Sequence, residues 1–265
     1  TTIILNYVRD DGQTQPTKYT VQHKVDGTIR DSETYKNTAW INDNPAMIEI
    51  KAGTLAQKTY TGYAFQSIDT TAQEGDKIAS GTVITLTYVK DDGQTQPTKY
   101  TVRHVVDGVE QTADTKTYTG TAWINEKNPT IKIEAGSLAK KTYTGYTFKS
   151  IDTEAKEGDS IASGTTITLT YVRDDGQTKD TTYTVKHTIN GVEQPADTET
   201  YKGTAWINET NPTIVVKDGT LAHKTYTGYK FEKMTPETEE GDSVASGTTI
   251  ILNYVRDDGQ TQPTK

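Results

Sequence analysis

Thr166-Ile167-Thr168-Leu169-Thr170-Tyr171-Val172 decides the fold. Apolar and hydroxyl side chains alternate along it, so Ile167, Leu169 and Tyr171 share one face and threonines the other, the period-two pattern of a half-buried β-strand. Tyr100-Thr101-Val102-Arg103-His104-Val105-Val106 has the same period, with Tyr100, Val102, His104 and Val106 on one face and the hairpin signal Asp107-Gly108 after it. Shorter strands are predicted around Thr117 to Gly120, Thr130 to Glu134 and Tyr146 to Ile151, separated by glycine, Asn-Pro and acidic turns. Gly136-Ser137-Leu138-Ala139-Lys140 alone has room for a turn or two of helix, started by Ser137.

The same pieces recur along the chain. TYTGY stands at Thr59, Thr142 and Thr225, and TAWIN at Thr38, Thr121 and Thr204. YV(R/K)DDGQT stands at Tyr7, Tyr88, Tyr171 and Tyr254. Three copies follow, at residues 19–99, 100–182 and 183–265, the first shorter between Gly27 and Tyr35. Residues 1–18 repeat 248–265 and read as the closing strand and linker of a preceding copy. The reading is a mainly β chain, α+β at most: three tandem small β-sheet domains, mostly antiparallel and β-grasp-like, in an elongated beads-on-a-string array. Compact-domain scaling makes each about 30 Å across, so three in line span on the order of 90 Å. Proline in the DDGQTQPTK segment is expected to stiffen the joint that it forms. The orphan strand is expected to fray or to pair with a sheet edge.

Composition narrows the function classes. The chain of 265 residues has no cysteine and a net charge of −8, which excludes thiol chemistry and argues against nucleic acid and anionic membranes, because phosphate binding needs clustered Lys and Arg. No apolar run approaches the eighteen or so residues that cross a bilayer. Much of the apolar content lies in 16 tyrosines and 3 tryptophans, as expected of small cores completed by aromatic rings.

The YTV-plus-charge strand, the Asp/Asn-Gly hairpin, the central TGY with an aromatic two residues on, and the closing TITLTYV strand together resemble repeats of the mucin-binding (MucBP) type. They are also similar to the high-identity tandem repeats of streptococcal surface proteins. The resemblance covers all three copies. It implies a β-grasp-like repeat in a secreted, cell-wall-anchored protein of a Gram-positive bacterium, one that projects a distal adhesive domain or binds host mucin glycans or surface proteins. No wall-sorting motif is visible in the segment.

Against that frame of expectation the chemistry-bearing residues are few. His23, His104 and His187 each stand alone on the Tyr/Val face of a first strand, without a second ligand at metal spacing, and read as packing residues. The acidic turns Glu74-Gly75-Asp76, Glu157-Gly158-Asp159 and Glu240-Gly241-Asp242 lack the D-x-D-x-D-G run of a calcium loop and read as solvated turns. Trp40, Trp123 and Trp206, with Tyr63, Tyr146 and Tyr229, are the glycan-contact candidates, since aromatic rings stack on sugar faces; filling the core is the competing use of the same side chains. Lys58, Lys141 and Lys224 with Asn42, Asn125 and Asn208 are candidates for intramolecular isopeptide links. No motif sets a nucleophile beside a His and a carboxylate. The expectation is a monomeric, non-enzymatic chain with no metal or cofactor, whose partners are its own neighbouring repeats and, on the rival reading, host glycans or proteins.

Overall fold

The computed structural model describes residues 1–259. The first copy contains β1 (Thr14–Val25), β2 (Thr28–Trp40), β3 (Met47–Glu49), β4 (Tyr63–Ile68), β5 (Lys77–Ala79) and β6 (Val83–Lys90). Its main sheet has the order β2-β1-β6-β4, and β3 pairs with β5 in a second small sheet. First and last strands are neighbours and run parallel, with Val21 beside Ile84 and His23 beside Leu86. The outer strands are antiparallel to them. The expected mostly antiparallel sheet therefore has a parallel centre, since everything between β1 and β6 serves as their crossover.

The middle copy contributes β7 (Thr95–Val106), β8 (Val109–Glu110), a 3₁₀ turn (Thr112–Asp114), β9 (Lys116–Trp123), β10 (Thr130–Lys132), β11 (Tyr146–Ile151), β12 (Ser160–Ala162) and β13 (Thr166–Arg173). The third contributes β14 (Thr178–Ile189), β15 (Val192–Glu193), a 3₁₀ turn (Pro195–Asp197), β16 (Glu199–Trp206), β17 (Thr213–Val215), β18 (Tyr229–Thr235), β19 (Ser243–Ala245) and β20 (Thr248–Arg256). There the order is β15-β14-β20-β18, β16 pairs with β14, and β17 pairs with β19. Two compact units divide the chain through the middle copy. One holds Thr1–Thr101, Thr117–Glu134 and Ala155–Thr165; the other holds Val102–Lys116, Ala135–Glu154 and, of the described residues, 166–259.

The alternating residues account for the core. Tyr183, Val185, Ile250, Leu252 and Tyr254 are buried, joined by Ile214 and Val216 from β17 and its exit. The first copy buries Tyr19, Val21, Ile84, Leu86 and Tyr88 in the same way. Each β1-type strand turns through a hairpin with both central residues at positive φ: Asp26-Gly27, Asp107-Gly108 and Asn190-Gly191. That is the turn whose twist matches the strands, and it explains the Asp/Asn-Gly pairs. The shortening of the first copy also has a structural meaning. The added residues of the later copies form the 3₁₀ turn, whereas in the first copy β2 runs unbroken.

Two expectations are corrected. No helix forms at Gly136 to Lys140: Gly136 has φ +77°, outside the helical region, and the chain closes a single turn there. The segment read as a linker is mostly strand, because β1 and β7 begin at Thr14 and Thr95, and only Asp-Asp-Gly turns. Pro16 is tolerated because β6 pairs with β1 only from Thr20 onward, so the missing N–H faces no partner strand. Of the two courses expected for the orphan strand, residues 1–10 do not take edge pairing: among the described residues they pair with no strand, and Ile3, Leu5 and Tyr7 are 81%, 71% and 89% exposed.

Candidate functional site at the repeat joint

Strand β9 ends on Trp123, and the following turn carries Asn125. Trp123 Nε1 donates to the Gly62 carbonyl of the preceding copy at 3.1 Å, and Asn125 Nδ2 donates to the Thr61 carbonyl at 2.6 Å. The Tyr63 ring meets the Trp123 ring edge-on at 5.5 Å, an attractive arrangement of ring quadrupoles. Lys90 Nζ lies 5.1 Å from the Trp123 ring centre, so a cation covers the indole.

The Asp91-Asp92-Gly93-Gln94 turn ties the two copies together. Asp91 Oδ1 accepts the Gly93 N–H, Gln94 Oε1 accepts the Gly62 N–H at 2.7 Å, and Ile124 N donates to the Gln94 carbonyl. Gly62 is therefore engaged on both sides, and its carbonyl also accepts from Asp91 N. Gln96 Nε2 reaches the carbonyls of Trp123, Ile124 and Glu126 at 3.0, 3.2 and 2.8 Å and fixes the Trp-bearing turn. Gln96→Ala is expected to lower stability by about 1 kcal/mol, measurable by urea denaturation.

The second joint repeats the first. Trp206 Nε1 donates to the Gly145 carbonyl, Asn208 Nδ2 to the Thr144 carbonyl, and Gly145 N to Gln177 Oε1. Tyr146 meets Trp206 edge-on at 5.5 Å, and Arg173 stands over the indole at 4.4 Å. No protein-family model matches the chain. No curated protein matches it either. The joint is thus read from its own geometry.

That geometry divides the six aromatic candidates. Tyr63 pairs with Trp123 and Tyr146 with Trp206, each across a joint. Trp40 instead donates to the Asp10 carbonyl and lies under Arg9. Tyr229 follows Gly228, over which a Cβ would meet nothing within 4 Å, whereas a Cβ on Gly62 or Gly145 would overlap the Asn125 or Asn208 amide. None of the three tryptophans is in the buried core. Sequence reasoning found the tryptophans and missed Gly62, Gly145, Gln94 and Gln177, although TGY and DGQ recur in every copy.

A second constellation recurs inside each copy. His23 is buried, its ring stacked on Tyr88 at 5.7 Å with Nδ1 3.0 Å from the tyrosine hydroxyl. That hydroxyl also accepts the Lys58 backbone N–H at 2.9 Å. His104 and Tyr171 repeat this, while His187 Nδ1 has no hydrogen-bond partner among the described residues. Burial holds all three histidines below the usual imidazole value, the nearby lysines Lys58, Lys141 and Lys224 adding to it and Asp31, Asp114 and Asp197 opposing it.

Those aspartates each accept from a tyrosine hydroxyl and a lysine: Asp31 from Tyr60, with Lys58 at 3.6 Å; Asp114 from Tyr143 at 2.6 Å and Lys141; Asp197 from Tyr226 at 2.6 Å and Lys224 at 2.7 Å. Burial first, then the carboxylate, pushes Tyr60, Tyr143 and Tyr226 up. Of the isopeptide candidates, the lysines thus sit on aspartates, while Asn125 and Asn208 serve the joints. In the first copy a groove of ≈ 380 Å³ opens beside His23, Asp31, Glu33 and Lys58.

The acidic turns use their oxygens internally. Glu74 accepts the Leu55 N–H, and Asp76 accepts the Gln73 N–H. Among the described residues, no three His, Cys, Asp or Glu side chains converge on a point that could hold a metal ion.

Proposed function

We propose that the chain is a structural spacer, the stalk of a secreted bacterial cell-surface protein anchored in the wall, whose repeats project a distal adhesive domain. The observation that carries this reading is that one joint is built twice by the same residues, with the largest aromatic side chains spent on holding one copy to the next. A module whose work is reach needs a joint that resists bending, and the indole–tyrosine contact with its flanking hydrogen bonds supplies one. The sequence resemblance to MucBP-type and streptococcal tandem repeats points the same way.

A second reading makes each repeat an adhesin module for mucin-type glycans. It is favoured by a groove of ≈ 490 Å³ at the first joint, lined by Tyr60, Tyr63, Trp123 and Asn125 with Arg30 and Lys127 at hand. Aromatic faces beside amide and basic donors are groups that sugars use. Titration of the full chain against purified mucin separates the readings: the spacer gives no saturable binding. Saturable binding that is lost in Trp123→Ala, with the chain still folded, overturns the spacer and establishes the adhesin.

A further inference from the structure

One residue sets the hairpin of the third copy apart. Asn190-Gly191 closes β14 onto β15 with Ile189 opposite Val192, where the first two copies carry Asp26-Gly27 and Asp107-Gly108. The turn is otherwise the same. Asn190 has φ +46°, against +46° for Asp26 and +49° for Asp107. The backbone N–H of each donates to a tyrosine carbonyl, that of Tyr254, Tyr88 and Tyr171 in turn. Asn190 and Gly191 are both exposed, and among the described residues nothing bonds to the Asn190 side-chain amide or to the Gly191 N–H.

We propose that Asn190 is a self-modification site, which the Gly191 nitrogen converts to aspartate or isoaspartate through a cyclic imide. Gly191 N gives up its proton and attacks Asn190 Cγ; the N–Cγ bond forms, the Cγ–Nδ2 bond breaks, and Nδ2 leaves as ammonia. Water, the only co-reactant, then opens the ring. Attack at Cγ restores the original main chain and leaves aspartate. Attack at the Asn190 main-chain carbonyl carbon leaves the main chain running through Cγ, which is isoaspartate.

Glycine opens the way for the attack, because no Cβ shields its nitrogen. Asn190-Gly191 is the sole Asn-Gly pair in the sequence; every other asparagine precedes Tyr, Thr, Asp, Glu or Pro. The ring closes only after Asn190 turns about its Cα–C bond, so the hairpin must open briefly. Little opposes that, since β15 is two residues long and the turn is at the surface. The fold accepts one product, because Asp26 and Asp107 already hold the same φ and the same bond, and aspartate at 190 makes the three turns alike. It does not accept the other. Isoaspartate adds a main-chain atom to a two-residue loop whose length fixes the register. Ile189 then no longer faces Val192, and the pair of Lys186 with Glu193, at 3.0 Å across the same hairpin, loosens.

The test holds the full folded chain in mildly alkaline buffer made with heavy-oxygen water and follows the peptide that carries residue 190 by mass spectrometry. The expected result is that this peptide loses its amide nitrogen, takes up one heavy oxygen and splits into two species on chromatography. One should co-elute with the same peptide from Asn190→Asp, and the other should be a substrate for an isoaspartyl methyltransferase. Gly191→Ala should slow the conversion by more than about tenfold, in the folded chain and also in urea, where no turn is left to disturb. Conversion in urea with none in the folded chain overturns the proposal. So does another asparagine that converts faster in the folded chain, or a Gly191→Ala chain that converts at the original rate in urea.

Discussion

Lowering the pH below about 6.5 is expected to destabilise the chain, by at most about 1.4 kcal/mol per pH unit for each histidine that gains a proton on unfolding. Burial sets the affinity of His23, His104 and His187 for a proton below that of the unfolded chain. Between the lowered folded value and 6.5 the unfolded state therefore binds more protons, and stability falls as the pH falls. Above 6.5 both states are neutral and the contribution is flat. The geometry gives the reason: each imidazole is buried against a tyrosine ring, Tyr88, Tyr171 or Tyr254, where a charged ring would lose its water. Asp31, Asp114 and Asp197 act lower. Their hydrogen bonds, from Tyr60 for the first and chiefly from Lys141 and Lys224 for the others, hold the carboxyls below the usual range, so their contribution is lost only as the pH drops through those lowered values. Urea titrations between about pH 5 and pH 7 check this, with His104→Asn expected to flatten the slope by one proton's worth. Stability that does not change across that window would rule the account out.

Much of the fold is legible in the sequence, because period two states which side chains share a face. The Tyr100, Val102, His104, Val106 face and the Ile167, Leu169, Tyr171 face are both buried. Periodicity does not say which strand lies beside which, so the parallel pairing of β1 with β6 could not be read from it. The stretch Gln13 to Lys18 looks like a linker because it is polar and contains proline, yet a strand paired on one side accepts both. The joint was hidden for a different reason. Trp123 and Gly62 are 61 residues apart, and no local pattern connects them. The recurrence of one tryptophan per copy was visible; its use in a contact between copies depends on the turn of Asp91 to Gln94, whose hydrogen bonds set where the next copy begins. The aspartates under Tyr60, Tyr143 and Tyr226 escaped notice because Asp31 comes from an unbroken strand while Asp114 and Asp197 end a 3₁₀ turn. All three nonetheless stand at one distance ahead of their tryptophan.

Gly145→Ala is expected to destabilise the chain by more than Gly228→Ala does, and the difference isolates the joint. All three TGY glycines have φ of +81° to +83°, so alanine at any of them carries the same left-handed backbone cost, about 1–2 kcal/mol. At Gly228 the cost ends there, since the added methyl meets nothing within 4 Å among the described residues. At Gly145 the methyl overlaps the Asn208 amide nitrogen and lies 3.0 Å from Trp206 Cζ2, and at Gly62 it meets Asn125 and Trp123 in the same way. The amide must leave the Thr144 carbonyl and the indole must shift, which adds about 1–3 kcal/mol. Thermal unfolding followed by circular dichroism ranks the three variants, and equal losses at Gly145 and Gly228 would sink the joint as described. A double-mutant cycle sharpens the attribution. If the overlap is with Asn208, then Asn208→Ala removes it in advance, and Gly145→Ala on that background should cost little more than Gly228→Ala on its own. Full additivity would move the cost from the joint to the backbone of Gly145 alone.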